Sequence, residues 1–260
     1  LLALSELVDA NDEVKDRIYP SKVLNTVESI CTAKGVCRES FVSSSIMLEK
    51  LGIARFFWKA AEKHKVNREA IADRDGVQVL CAWIDEYSDR YKFEENIVGQ
   101  KEQMSEEDEQ KSKMCKKLAV HGITSLIYKD AKSKDLFLRS SSMLCLRSAI
   151  ECAPGINPKG FSFISLARKC RESVEMKVSA VDVCLVEVTA IELKHLYDAV
   201  TDPNEIYQQE IFIVISCACE ALEAMTKRYQ RGQNRSIKGN CNVLDTLSNI
   251  LNLKGQSNTK

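Results

Sequence analysis

The chain has 260 residues, and its 37 Lys+Arg balance 37 Asp+Glu to a formal net charge of zero. With 45% hydrophobic residues, 10 Gly and 4 Pro, it is neither collagen-like nor largely disordered. Zero net charge disfavours a general nucleic-acid binder, whose affinity comes from excess Lys and Arg, but it is compatible with a local basic groove. No apolar run approaches the roughly 18–20 residues of a membrane span, so we expect no membrane partner.

Long stretches without Gly or Pro are typical of helices. Helix starts are expected at Asn11, at Ser21 and at Ser43–Ser45, because such side chains accept hydrogen bonds from the free backbone N–H groups of a first turn. Apolar residues recur every three to four positions within 179–200 and again from Ile213 to Met225, which indicates amphipathic helices. Hairpin dipeptides are few, so we predict an all-α fold.

The 11 cysteines are odd in number, scattered, and mostly set in apolar stretches. This pattern favours reduced, structural thiols in a cytoplasmic protein over a disulfide framework. The three histidines, His64, His121 and His195, form no metal or catalytic motif. We therefore expect no enzymatic activity, no catalytic residue, no metal and no cofactor. The chain begins at Leu1 without Met, which suggests that it is a fragment.

One segment concentrates positive charge without a single acid, from Lys227 to Lys238. Cations with an aromatic neighbour suit phosphate contacts and base stacking in single-stranded nucleic acid. The alternative is a basic helix end, where cations complement the helix dipole, followed by a flexible loop. The candidate residues for binding nucleic acid or another partner are Lys227, Arg228, Tyr229, Arg231, Arg235 and Lys238.

Three segments share a polar lead, a glycine and a short amphipathic run: Asn67–Leu80, Lys117–Ile127 and Gly160–Leu166. Their glycines, Gly76, Gly122 and Gly160, are spaced close to the roughly 40–47-residue period of helical arrays. Because glycine permits a sharp turn, we expect each of them at a turn between two short helices.

The segment Asn67–Leu80, with its Asn-Arg lead, Ile71 and Gly76, resembles an armadillo repeat, and His121–Ile150 is similar. The resemblance spans about residues 67–200. It implies an armadillo/HEAT-like helical repeat array, or failing that an elongated helical domain. It also implies a non-enzymatic scaffold, adaptor or chaperone-like module that binds a peptide or helix of another protein along a groove.

A competing resemblance involves Ile127–Leu136 and Gly155–Lys159, which are similar to two short stretches in the nucleoproteins of tospoviruses, segmented negative-strand plant viruses. In those nucleoproteins the two stretches are adjacent, whereas here about one helix separates them. The resemblance implies a helical protein that encapsidates single-stranded RNA, with Lys227–Lys238 and other basic helix faces in the RNA cleft.

We divide the chain accordingly into four parts. They are N-terminal helices over 1–50, armadillo-like repeats over 51–200 with an acidic insertion at 99–113, C-terminal helices over 201–251, and a flexible tail over 252–260. The acidic insertion is expected to be a solvated loop or an exposed helix face.

Overall fold

The computed structural model describes residues 2–18, 25, 44–96, 106–202, 206–238 and 247–250. This part is almost entirely helical and contains no strand, so the predicted all-α class is confirmed for the described residues. Its helices of seven or more residues are α1 (Leu2–Ala10), α2 (Asp12–Ile18), α3 (Ser44–Ala61), α4 (Lys65–Ala72), α5 (Gly76–Asn96), α6 (Glu106–Ile127), α7 (Ala131–Ser140), α8 (Met143–Cys152), α9 (Ile156–Glu172), α10 (Val174–Asp182), α11 (Leu185–Thr201), α12 (Gln208–Thr226) and α13 (Gln230–Lys238).

The chain divides into two compact units. Unit 1 comprises Leu1–Ser148 with Cys152–Pro154, and unit 2 comprises Ala149–Glu151 with Gly155–Lys260. The division falls in α8 and the turn that follows it, where Gly155 has a φ of +80°. No described helix is long and apolar enough to cross a lipid bilayer.

Unit 1 is built around α6, which packs against α3 and α5. Gly122 lies at this crossing in α6. A Cβ atom on Gly122 would come within 2.9 Å of Leu80 Cδ1 and 3.5 Å of the Ala54 carbonyl oxygen. The absence of a side chain at residue 122 therefore lets three long helices approach one another closely.

A further helix of unit 1, α1, lies along α3. Two ion pairs join them: Arg55 Nη2 is 2.6 Å from Glu6 Oε1, and Lys59 Nζ is 2.8 Å from Asp9 Oδ1. Val8 is fully buried, so α1 contributes an apolar contact as well as charge.

Unit 2 is built around α12, which packs against α9 and α11. In unit 2 the glycine at the helix crossing is Gly160 of α9 and does not belong to the central helix α12. A Cβ atom on Gly160 would lie 2.9 Å from Val214 Cγ2. Buried apolar side chains follow α12 through its whole length: Ile211, Val214, Ile215, Ala218, Ala221, Leu222, Ala224 and Met225.

The helices α3–α7 of unit 1 and α9–α13 of unit 2 share one topology. In both sets the lengths run long, short, long, long, short, and every pair that packs appreciably in one set has its counterpart in the other. The first helix packs on the fourth and the fourth on the third, while the two short helices pack on each other and on the third and fourth. We call residues at the same place in the two sets equivalent.

The ends of the helices match in the same way. The second helix begins after a side chain that caps the backbone N–H three residues on, His64 in unit 1 and Ser173 in unit 2. The third helix begins after a residue in the left-handed region, Asp75 with φ 56° and Cys184 with φ 58°. The third helices also bury equivalent positions, namely Val77 and Val186, Cys81 and Ala190, Ile84 and Leu193, and Tyr87 and Leu196.

Several local predictions are confirmed. Asn11 Oδ1 accepts a hydrogen bond from the Glu13 backbone N–H at 2.8 Å, so α2 begins where the sequence indicates. In the described part of the acidic insertion, Glu106 and Glu107 are exposed in the first turn of α6, with Glu107 paired to Lys111 and Glu109 to Lys113. Ser21, Ser43, positions 99–105 of the insertion and the tail 252–260 lie outside the described residues.

Two of the three glycines are not where the repeat interpretation puts them. Gly76 is the first residue of α5, but Gly122 and Gly160 lie inside α6 and α9. Glycine serves there for close helix packing rather than for a turn, and the sequence pattern does not separate these two uses. The same topology occurs twice, at a spacing far longer than the predicted period. The domain boundaries, including 51–200, stay predictions.

The predicted helix within 179–200 is interrupted at Val183 and Cys184, which separate α10 from α11. A two-residue turn leaves the three-to-four spacing of apolar residues almost intact, so periodicity alone does not reveal it. After Tyr229 the polar segment continues as the helix α13 rather than as a loop.

Candidate functional site

The basic segment forms the turn between α12 and α13 and continues into α13. Lys227 caps the end of α12, and its backbone N–H donates to the Glu223 carbonyl oxygen at 2.8 Å. Arg228 follows in the left-handed region with φ 58°. The Tyr229 N–H donates to the Thr226 carbonyl oxygen at 3.1 Å and closes the turn.

Two of the candidate cations are engaged in ion pairs. Lys227 Nζ lies 3.0 Å from Glu223 Oε1, and the hydrogen bond from Lys227 holds the pKa of the Glu223 carboxyl below its ordinary value. Arg231 Nη1 lies 2.9 Å from Asp182 Oδ1. Arg228 is exposed and makes no ion pair with any described residue.

Unit 2 brings a further cation to this turn from α10. Lys177 Nζ donates to the Lys227 carbonyl oxygen at 2.9 Å. We call Lys177, Lys227, Arg228 and Arg231 the basic turn. Only two carboxylates, Glu223 and Asp182, are paired with these four cations among the described residues, so the basic turn carries a net positive charge.

Arg171 of α9 lies near the basic turn without joining it. Its Nη2 is 3.2 Å from Glu220 Oε2, and its charge also contributes to lowering the pKa of the Glu223 carboxyl. Arg168 on the same helix is paired to Glu172 at 3.3 Å. This part of α9 therefore presents mixed charge.

Tyr229 follows the exposed Arg228 in the chain. A Cβ atom on Gly232 would lie 3.2 Å from Tyr229 Cδ1 and 2.9 Å from the Met225 carbonyl oxygen. The glycine thus lets α13 fold back onto the end of α12 beneath the tyrosine, whose side chain remains half-buried. A half-exposed ring with a neighbouring cation can stack on a base while the cation meets a phosphate.

The backbone of Arg228 is in a conformation that is unfavourable for a residue with a side chain. A residue with a Cβ atom in the left-handed region costs about 1–2 kcal/mol, and the residue just beyond a helix end is usually Gly or Asn for this reason. An arginine here complements the negative end of the α12 dipole. It also presents an exposed guanidinium at a fixed point of the surface.

The other predicted candidates stay apart from this site. The Arg235 and Lys238 backbones belong to α13, but their side chains lie outside the described residues. His64 caps α4, and His195 is largely exposed. His121 contacts Trp58 edge to face, at 4.7 Å between ring centroids, and burial lowers the pKa of its imidazole.

No group of three His, Cys, Asp or Glu side chains in the described ranges is arranged to hold a metal ion. The eight described cysteines, from Cys81 to Cys219, are free thiols. Burial raises the pKa of the Cys170 thiol to about 11, so it is largely protonated at neutral pH. A protonated buried thiol has little nucleophilic character.

The sequence could not reveal the contribution of Lys177, because a residue fifty positions before Lys227 reaches it only through the packing of α10 against α12 and α13.

Comparison with protein-family models, with curated proteins and with solved structures gives no match for this chain.

Proposed function

We propose that the chain is a non-enzymatic helical protein that binds single-stranded RNA, in the manner of a nucleoprotein. The observation that carries the proposal is the basic turn. It joins Lys177 of α10, Lys227 of the turn and Arg231 of α13 near Arg228, an exposed arginine without an ion pair to any described residue, and Tyr229 follows Arg228 in the chain. Phosphates would contact the cations, and a base would stack on the exposed part of the tyrosine.

The resemblance of Ile127–Leu136 and Gly155–Lys159 to tospovirus nucleoproteins supports the same function. This resemblance agrees with the charge and aromatic pattern around the basic turn. A cytoplasmic location is part of this proposal, since eight described cysteines are free thiols.

The test uses the purified 260-residue chain and a fluorescently labelled oligouridine, because oligouridine does not pair with itself. We expect binding at low salt whose affinity falls steeply as salt rises. R228Q should weaken binding severalfold. K65Q is the matched control, since Lys65 is 78% exposed and belongs to unit 1, whereas the basic turn belongs to unit 2. Wild-type protein that fails to bind at low salt would contradict the proposal.

A second function, binding a helix of another protein, is favoured by a difference between the units. In unit 1, α1 covers one face of α3, with Lys59 holding Asp9. In unit 2, α10 and α12 are the helices that pack on α9, and its Ile164 is 50% exposed. Arg168 is equivalent to Lys59 and is 63% exposed. An amphipathic helix with acidic residues, like α1, would suit this face.

The probe for this second function is a labelled peptide with the sequence of residues 2–18. We expect it to bind the 260-residue chain on α9, because α1 of the chain itself occupies α3. I164E should abolish binding, while I206E, a change at another exposed apolar residue of unit 2, should not. Equal binding to wild type and I164E would exclude this face.

An armadillo-like array that binds a peptide along a groove stays a third proposal with less support. Two of its three glycines lie within helices. The most extensive packing in each unit joins the first helix to the fourth rather than successive helices.

A further inference from the structure

A second turn in the chain resembles the turn between α12 and α13 in its backbone conformation and its residues. It lies in unit 1 between α6 and α7 and consists of Tyr128, Lys129 and Asp130. The equivalent residues of unit 2 are Lys227, Arg228 and Tyr229, because both turns join the fourth helix of a set to the fifth. Each turn has three residues, and each holds its central cation in the left-handed region, with φ 55° at Lys129 and 58° at Arg228.

One backbone hydrogen bond and one ion pair beside each turn also correspond, although residue 130 of the unit 1 turn is an aspartate. The carbonyl oxygen of the last turn residue accepts the first backbone bond of the following helix, from Lys134 to Asp130 and from Gln233 to Tyr229, both at 3.1 Å. In the first turn of the fifth helix of each set, a basic residue forms an ion pair with an aspartate at the end of the second helix of the same set. These ion pairs are Lys132 with Asp73 and Arg231 with Asp182.

Both turns combine an exposed cation with a tyrosine. Lys129 is exposed and makes no ion pair with a described residue, as is true of Arg228. Tyr128 is 45% exposed, and Lys129 Nζ lies 5.3 Å from the centroid of its ring. The tyrosine precedes the cation in unit 1 and follows it in unit 2.

The buried Arg68 lies close to the ring of Tyr128 in unit 1. The guanidinium carbon of Arg68 lies 5.9 Å from the Tyr128 ring centroid, and Arg68 is only 7% exposed. Its Nη1 donates to the Ala61 carbonyl oxygen at 3.2 Å, whereas its buried Nε has no hydrogen-bond partner among the described residues. The positive charge of Arg68 is thus only partly compensated, and it adds to that of Lys129 around one exposed aromatic ring.

We infer that Tyr128 and Lys129, backed by Arg68, form a second contact for single-stranded RNA, equivalent to the contact at Arg228 and Tyr229. The inference rests on the proposed RNA function and extends it to one nucleotide contact in each unit. Lys129 would bind a phosphate, and Tyr128 would stack on a base. The ligand chemistry is an anionic backbone carrying unpaired bases, since in a duplex the neighbouring base pairs cover the faces on which the ring would stack.

The same residues have a structural explanation that the experiment must separate. A lysine after a helix complements the negative end of the helix dipole, and Lys63 does so after α3. Lys63 is exposed, has a φ of 60° and also lies in unit 1. It is not in a turn before a fifth helix, so it is the matched control for Lys129.

The three cations are best removed as K129G, R228G and K63G. Glycine favours the left-handed region, so none of these changes strains the turn, and each deletes one charge. Y128L removes the aromatic ring and keeps an apolar side chain. Thermal unfolding of all variants checks that they fold like wild type.

Binding of labelled oligouridine to variants of the 260-residue chain is measured by fluorescence anisotropy at several salt concentrations. For a single strand, each phosphate that a cation neutralises contributes about 0.7 to the slope of log affinity against log salt. K129G and R228G should each reduce the slope by about that amount, and K63G should leave it unchanged. Y128L should weaken binding about tenfold, near the low end of the effect of removing one stacked base.

The outcomes distinguish the two proposals. Wild-type protein that does not bind oligouridine at low salt removes both the RNA function and the second contact. If wild type binds and R228G lowers the slope, but K129G and Y128L behave like K63G, the function stands and the second contact is wrong. An effect of K129G without one of R228G overturns the equivalence of the two turns.

Discussion

Arg231 Nη1 lies 2.9 Å from Asp182 Oδ1, and this ion pair ties the start of α13 to the last residue of α10. Lys132 and Asp73 make the equivalent ion pair between α7 and the end of α4. Both units therefore have an ion pair between their fifth helix and their second.

We expect the Arg231–Asp182 pair to contribute little to stability. Its side chains are 55% and 47% exposed, and exposed ion pairs typically contribute about 0.2–1 kcal/mol. A double-mutant cycle of R231Q and D182N, followed by urea unfolding, should give a coupling energy below about 1 kcal/mol that shrinks at high salt. A coupling energy above about 2 kcal/mol, unaffected by salt, would show that the contact is more than a surface ion pair.

The buried ion pair of Lys50 should behave differently. Lys50 is 1% exposed, its Nζ lies 2.6 Å from Glu86 Oε2, and the rings of Trp83 and Tyr87 lie 5.9 and 5.7 Å from it. Removing one partner of a buried pair costs about 3–5 kcal/mol, and because Glu86 is 21% exposed we expect K50M to cost about 2–4 kcal/mol.

Urea unfolding measures this destabilisation, with K65M as the control. Lys65 is 78% exposed and pairs with Glu69 at 3.7 Å, so K65M should change stability by less than about 0.5 kcal/mol. If K50M and K65M unfold at the same urea concentration, the buried pair contributes no more than an exposed one.

The fold class could be predicted because it follows from local signals. Asn11 caps a helix start, and the apolar spacing from Ile213 to Met225 falls within α12. The spacing locates the helix better than its buried face, since Ile213 is 59% exposed while Val214 and Ala218 are buried. The break at Cys184 could not be predicted, because a left-handed cysteine is not a recognised turn signal and the apolar pattern continues across it. The prediction of a turn at Gly122 was wrong, because this glycine permits close packing between helices that are distant in sequence.

The site could be predicted only as far as it is contiguous in sequence. The segment from Lys227 to Arg231 is evident from its charge, but its ion pairs with Glu223 and Asp182 and its contact with Lys177 depend on helix packing. Its equivalence with Tyr128 and Lys129 depends on topology, because the order of tyrosine and cation differs between the two turns.

The two glycines at helix contacts in unit 1 should differ in their tolerance of alanine. A Cβ atom on Gly76 would lie 2.8 Å from the Ile71 carbonyl oxygen, a backbone atom, whereas on Gly122 it meets the end of the Leu80 side chain at 2.9 Å. A side chain can shift but the backbone of α4 resists, so we expect G76A to cost about 1–3 kcal/mol.

G122A should change the free energy of unfolding by less than about 1 kcal/mol, because the higher helix propensity of alanine offsets the displacement of Leu80. The two variants are compared with wild type by chemical denaturation. Greater destabilisation by G122A than by G76A would mean that the core around Leu80 is the more rigid of the two contacts.

The docking of α1 on α3 should weaken in acid. The hydrogen bond from Lys59 holds the pKa of Asp9 below its ordinary value of 3.8. A carboxyl with a lowered pKa in the folded state stabilises that state above its unfolded pKa, and the contribution disappears as the pH falls through the folded value. The weakening should therefore set in below about pH 4.

Amide hydrogen exchange of residues 2–10, measured by mass spectrometry, reports the docking of α1. D9N should already exchange faster than wild type at neutral pH, and the difference between the two should vanish in acid, where Asp9 is protonated. E13Q, a change on α2 at a carboxylate outside the contact, should match wild type throughout. A difference between wild type and D9N that persists unchanged in acid would mean that Asp9 stabilises α1 without its charge, and the ion pair with Lys59 would not be what holds the helix in place.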